Sequence, residues 1–156
     1  FIVAGQKQLN LFEKKRKQER LMQNKIEYKI QRHLCLLDAS IKSTERLLQA
    51  SIERNLDVAE FESQNRERII GAVEKLQTEI EAQINTLELS SVSQELLEIL
   101  KCWTQDLTDS FERTLLLDQK ITARLSDEKD KTTQQIATIY RARKSHQGYN
   151  LNNLKK

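Results

Sequence analysis

Two histidines, His33 and His146, and two cysteines, Cys35 and Cys102, are the side chains of this sequence best suited to metal binding or nucleophilic chemistry. A zinc site gathers three or four such ligands through short, regular spacings. Cys35 is two residues from His33, and residues two apart on a helix point to different sides. His146 lies at the far end of the chain, and neither histidine has Cys, Asp or Glu at metal-ligand spacing. Cys102 stands beside Trp103 in no nucleophile motif and reads as a small, half-buried residue. There is no Gly-x-Gly-x-x-Gly and no phosphate loop. Glu60, Glu62, Glu67, Glu74, Glu79 and Glu81 are spaced as ordinary helix-surface residues. No catalytic, metal or cofactor site is expected, so function has to be read from surfaces.

The elements that carry these residues follow from composition. The 156 residues include no proline and three glycines, Gly5, Gly71 and Gly148. Sandwiches, barrels and α/β folds turn on glycine and proline, so they are excluded. A hydrophobic content of 38%, with 31% charged residues, is low for a compact globule and normal for long two-faced helices.

Three apolar stripes run along the chain at helical spacing. The first is Ile26, Ile30, Leu34, Leu37, Ile41, Thr44, Leu48 and Ile52, in a helix from near Gln6 to Glu53, roughly 70 Å long. A turn follows at Arg54–Asp57, with Asn55 as the left-handed residue and Asp57-x-x-Glu60 as a capping box. Leu56 is placed to staple onto Phe61. The second stripe is Val58, Phe61, Asn65, Ile69, Val73 with Ala72, Leu76, Ile80, Ile84 and Leu87. Serines at 90, 91 and 93 interrupt it, with Ser91-x-x-Gln94 as the next capping box. The third is Leu96, Leu100, Trp103, Leu107, Phe111 with Ser110, Leu115, Asp118, Ile121 and Leu125. Gly71 interrupts the second helix as a close contact, a kink or a tolerated residue, and Asn65 and Asp118 sit on apolar stripes either as register markers or at the edge of the bundle.

These stripes predict an all-α, elongated antiparallel helical bundle, coiled-coil-like, with three long helices and room for a short fourth. Its core is expected at Leu37, Ile41, Leu48, Ile69, Leu76, Leu100, Trp103 and Leu107. Residues 1–20 read as a charged helical extension or an appended arm, 21–125 as the bundle, and 126–156 as a polar joint, short helix and basic tail. Ser126–Gln135 is polar throughout, so it is either an exposed stalk of the third helix or a loose joint. The small apolar face that follows, Ile136, Ile139 and Tyr140, needs a surface to lie on, because helix nucleation is costly. That surface is either the groove between the first two helices or a partner; without one, the segment is a frayed end of the third helix. With Arg143, Lys144 and Tyr149 these residues form the candidate partner-binding set.

The net charge of +3 hides an asymmetry: residues 1–33 carry +6, residues 141–156 carry +5, and the middle carries −8. Basic ends suit acidic partners, nucleic acid or lipid headgroups. The acidic body and the lack of aromatics among the basic residues weigh against nucleic acid. No apolar run approaches the roughly 20 residues of a transmembrane segment. Two cysteines make no disulfide framework, and a reducing, cytoplasmic setting is the expectation.

Residues 36–70 carry a further pattern: Leu36-Leu37, Ser40, Thr44-Glu45, Leu47-Leu48, Ala50, the turn Asn55-Leu56-Asp57, Ala59, Glu62-x-x-x-Arg66 and Ile69-Ile70. It resembles FliT-type flagellar export chaperones, and the tail with Arg143-Lys144 and Tyr149 is similar to the ends of the FliT and FlgN families. Leu56 stands where that turn often carries Trp. The resemblance implies a small cytoplasmic helical bundle acting as a non-enzymatic chaperone without cofactor. Its partners would be the amphipathic end of an exported flagellar subunit and an export-apparatus protein, and its C-terminal helix would be displaceable. A structural or adaptor coiled coil, including a homodimer, and a basic-ended nucleic-acid or membrane-surface binder are the alternatives.

Overall fold

A computed structural model describes the backbone of residues 2–153 and the side chains of residues 3 and 5–145. Three long helices account for nearly all of it: α1 (Ile2–Glu53), α2 (Leu56–Asn85) and α3 (Gln94–Asn153), with one 3₁₀ turn at Leu89–Ser91. There is no strand among the described residues. The fold is the all-α helical bundle that the stripes predict.

The α1–α2 turn is two residues long. Arg54 takes the left-handed conformation at φ 57°. The Asn55 amide donates to the Ala50 carbonyl at 3.0 Å, which closes a Schellman-type end. Asn55 then caps α2, its side chain accepting from the Val58 amide at 3.2 Å. The expected roles are therefore shifted: Asn55 is the cap instead of Asp57, and Arg54 is the left-handed residue. A two-residue turn has room for one of each, and only Asn55 offers a short side-chain acceptor at the cap position. Asp57 remains in the first turn, where its charge suits the helix dipole. At the second turn Ser93, not Ser91, caps α3 by accepting from the Leu96 amide at 3.1 Å. Ser91 is held elsewhere: its hydroxyl donates to the Glu88 carbonyl, and its own carbonyl accepts from Gln23 at 2.9 Å.

α2 runs back along α1, as the Lys29–Glu79 and Arg46–Glu62 pairs at 2.9 and 2.7 Å record. α3 lies parallel to α1, and its cross-contacts join residues 68 to 74 apart: His33–Trp103, Glu45–Arg113, Ile52–Arg124 and Arg54–Glu128. This register leaves an overhang at each end. α1 extends past the second turn before Lys15, which reaches Glu88 at 3.2 Å, and α3 extends past the first turn after Glu128.

The apolar core joins Ile26 and Ile30 of α1, Ile80 of α2, and Leu96 and Trp103 of α3. Of the expected core residues, Ile41 and Trp103 are buried, while Leu37, Leu48, Ile69, Leu76, Leu100 and Leu107 are half-buried. Leu56, Phe61, Phe111, Leu115 and Leu125 are exposed, so the Leu56–Phe61 staple does not form a covered contact. In this arrangement both α2 and α3 pack chiefly on α1, and each buries only a narrow arc. Gly71 is exposed, and a Cβ there would meet nothing within 4 Å, so it serves no close helix contact.

Candidate functional site

The residues singled out in the C-terminal part stand on α3 beyond the bundle. The last contacts with the first turn are Arg124 to the Ile52 carbonyl at 3.5 Å and Arg54 to Glu128 at 3.1 Å. α3 then continues unbroken to Asn153. The polar interval is a stalk, neither a joint nor the start of a fourth helix, and residues 136–140 do not fold back onto the α1–α2 groove. The sequence permits the continuity, since residues 126–147 contain neither glycine nor proline. The hydroxyls of Thr132, Thr133 and Thr138 each donate to a carbonyl four residues earlier at 2.9 Å, so they do not compete for the helix's own amides. Lys131 pairs with Asp127 at 2.9 Å and holds that carboxyl below the usual carboxylate range.

On the stalk, Ile136, Ile139 and Tyr140 are 62%, 55% and 69% exposed. At about 100° per residue, these three and Arg143 fall within roughly 100° of arc on one helix face. Arg143 and Lys144 are exposed, one helical turn further on. The side chain of Tyr149 lies outside the described residues. Five of the six candidate residues thus share one uncovered helix segment, an arrangement that can receive another helix along its length and offers no enclosed pocket for a small substrate.

Two buried polar clusters lie inside the bundle. The His33 Nδ1 accepts from the Trp103 indole N–H at 3.2 Å, with the rings edge to face at 5.6 Å between centroids. This fixes the tautomer protonated on Nε2. His33 is fully buried, its Nε2 has no well-formed partner, and burial pushes its pKa down against the opposing pull of the Val73 carbonyl and Glu81. Nearer the first turn, Glu62 is buried between Arg46 at 2.7 Å and the Ser43 hydroxyl at 2.8 Å. The Arg46 hydrogen bond, with those of Ser43 and Asn65, holds the Glu62 carboxyl below its usual range against the penalty of burial. Glu62 is thus a structural residue, not the surface glutamate its helical spacing predicts.

Cys35 and Cys102 are both exposed and free. Among the described residues no group of three His, Cys, Asp or Glu side chains is placed to hold a metal ion. The His33–Trp103 tie is absent from the sequence reading, although His33 continues the stripe three residues after Ile30. Comparison of the chain with protein-family profiles, curated proteins and solved structures gives no match.

Proposed function

We propose that this chain is a non-enzymatic chaperone of the flagellar export type, holding the amphipathic helical end of an exported subunit against the α3 stalk and passing it to an export apparatus. The supporting observation is the apolar face Ile136–Ile139–Tyr140, standing uncovered on a helix that has already left its own bundle. A client helix laid along it would bury those three side chains and meet Arg143 and Lys144 beyond them. Burying a large apolar side chain contributes about 1.5–3 kcal/mol, whereas association costs roughly 4–15 kcal/mol. Three such side chains support a weak, releasable hold, which suits delivery better than storage. The resemblance of residues 36–70 to FliT-type chaperones adds the export setting. No helix among the described residues is long and apolar enough to cross a membrane.

The test is a binding titration of the full chain and of an Ile136→Asp, Ile139→Asp variant against exported helical subunits. Both positions are exposed, so the bundle should fold unchanged and affinity should fall at least about a hundredfold, the order expected from losing two buried side chains. Equal affinities would remove the stalk from client binding. A second reading, a structural coiled-coil adaptor, is favoured by the overhangs at opposite ends of the bundle. It requires a stable dimer in sedimentation and no client.

A further inference from the structure

The α1–α2 hairpin has two sides, and only one is closed. α3 lies against the side of α1 that carries Glu27, Ile30, Gln31 and Leu34. Along the other side runs an open groove floored by Leu21, Tyr28 and Leu36 of α1 and by Ala72 and Leu76 of α2. Leu21 is 54% and Tyr28 63% exposed, although both belong to a helix whose opposite face is core. The α1 floor residues recur at steps of seven and eight, so they form one line about 22 Å long, the length of four helical turns.

The rim is predominantly basic. Lys25, Lys29 and Arg32 on α1 and Lys75 on α2 border the floor, with Glu79 as the one acid among the lining residues. Lys29 already takes that acid at 2.9 Å. Lys25, Arg32 and Lys75 form no ion pair among the described residues. An apolar strip bordered by cations, with an exposed tyrosine at its centre, is the counterpart of a helix with an apolar stripe and acidic flanks. A second copy of this chain fits poorly, because a two-fold pairing would set Lys25 and Arg32 against the same basic rim of the copy. The basic overhangs of α1 and α3 fit no better.

We propose that this groove docks one acidic amphipathic helix of about four turns, supplied by another protein, which completes a four-helix bundle on the side of the hairpin away from α3. The groove is separate from the stalk, and its occupant is recognised by the free cations of the rim as well as by the apolar floor. Leu21, Tyr28 and Leu76 receive the apolar stripe of the incoming helix. Lys25, Arg32 and Lys75 receive its acidic flanks.

The probe is a labelled synthetic helix of about five turns with a leucine stripe and glutamate flanks, titrated against the full chain by fluorescence anisotropy. Its control keeps the leucine stripe and carries lysine flanks. The glutamate probe should bind roughly tenfold or more tightly than the control, since opposed charges across an interface select the partner. Lys25→Glu with Arg32→Glu should reverse that order, and Tyr28→Asp should weaken both probes. All three positions are exposed, so unchanged melting curves will show that the fold is intact. Equal binding of the two probes would overturn the proposal, as would an unaltered preference in the charge-reversed variant. So would Tyr28-dependent dimerisation in sedimentation, or Tyr28-dependent binding to phosphatidylserine vesicles in place of the probe. The Ile136→Asp, Ile139→Asp variant should bind the glutamate probe normally; loss of binding there would assign the probe to the stalk. This experiment reads the groove and the subunit titration reads the stalk, so either can fail without the other.

Discussion

Around the Leu89–Ser91 turn the helices meet through Ile26, Ile30, Ile80, Leu96 and Trp103; toward the Arg54–Asn55 turn buried Ile41, Ala50 and Ile121 share the interior with Ser40, Ser43, Thr44 and Glu62. The first end gains its stability from area removed from water, a force without direction. The second has to satisfy each polar group it buries: Thr44 donates to the Ser40 carbonyl, Ser43 to Glu62, and Arg46 to Glu62. A slip of one residue between α1 and α2 would leave a carboxylate buried without its partners, which is costly. The apolar end therefore supplies adhesion and the polar end supplies alignment. The bundle needs both because its stripes, taken alone, would tolerate several registers.

The sharpest break in that comparison is a cavity in the apolar end. Leu96→Ala or Ile80→Ala should cost about 2–5 kcal/mol in denaturant unfolding, because both side chains are fully buried. The same truncation at half-exposed Leu115 should cost far less. At the polar end, Glu62→Ala removes the carboxylate that Arg46 and Ser43 share, leaves the Ser43 hydroxyl only the residue 62 carbonyl at 3.1 Å, and should cost about 1–3 kcal/mol through the lost charge-assisted hydrogen bonds. If Glu62→Ala were neutral while Leu96→Ala was severe, the alignment role would belong elsewhere.

Acid should separate the two ends in sequence. The His33 pKa is lowered by burial, so the folded chain binds fewer protons there than the unfolded chain below about pH 6.5. The stability contributed at His33 should fall as pH drops through that value, and protonation of Nδ1 would also remove the acceptor for Trp103. Glu62 is lowered too, but as an acid its contribution is full above the ordinary carboxylate range. It is lost only as pH falls from about 4.5 toward the depressed value. Unfolding measured from pH 7.5 to pH 3.5 should therefore show two losses. His33→Gln should flatten the upper one and Glu62→Gln the lower. The smallest effect belongs to the outer surface of α2. Gly71→Ala meets open space and should stabilise the chain by about 0.5–1 kcal/mol, by removing backbone freedom from a helix interior.

The three stripes are readable in the sequence because helical periodicity is a local property. Ile26, Ile80 and Leu96 lie on them and are the deepest apolar residues. Periodicity does not state how wide an arc each helix buries, and this is why Phe61 and Phe111 sit on stripes and yet stand in solvent. The caps were displaced by two residues because Asn55 and Asp57, or Ser91 and Ser93, are chemically equivalent candidates. The choice at the second turn goes with a distant contact, Gln23 reaching the Ser91 carbonyl. The stalk's apolar residues are visible, but a polar interval without glycine or proline permits a continuous helix without requiring one. Trp103 lies 70 residues from His33, so their tie has no local signal. The α1–α2 groove is equally hidden, because an unfilled apolar line looks the same in sequence as a filled one.

The parallel register of α1 and α3 has a consequence for how the molecule is gripped. The basic cluster Lys14–Lys17 sits where one overhang begins, with Lys15 paired to Glu88, and Arg141–Lys144 sits on the other. With α3 offset by about 70 residues, the two clusters lie roughly 85 Å apart along the rod. That is many times the screening distance of about 8 Å in physiological salt. The two poles behave as independent charges, and a compact acidic partner can touch only one of them. An extended filament, or two partners at fixed separation, can hold both at once. Bivalent attachment of that kind would gain avidity without any new contact, and the rod's length would then select for the spacing of acidic sites.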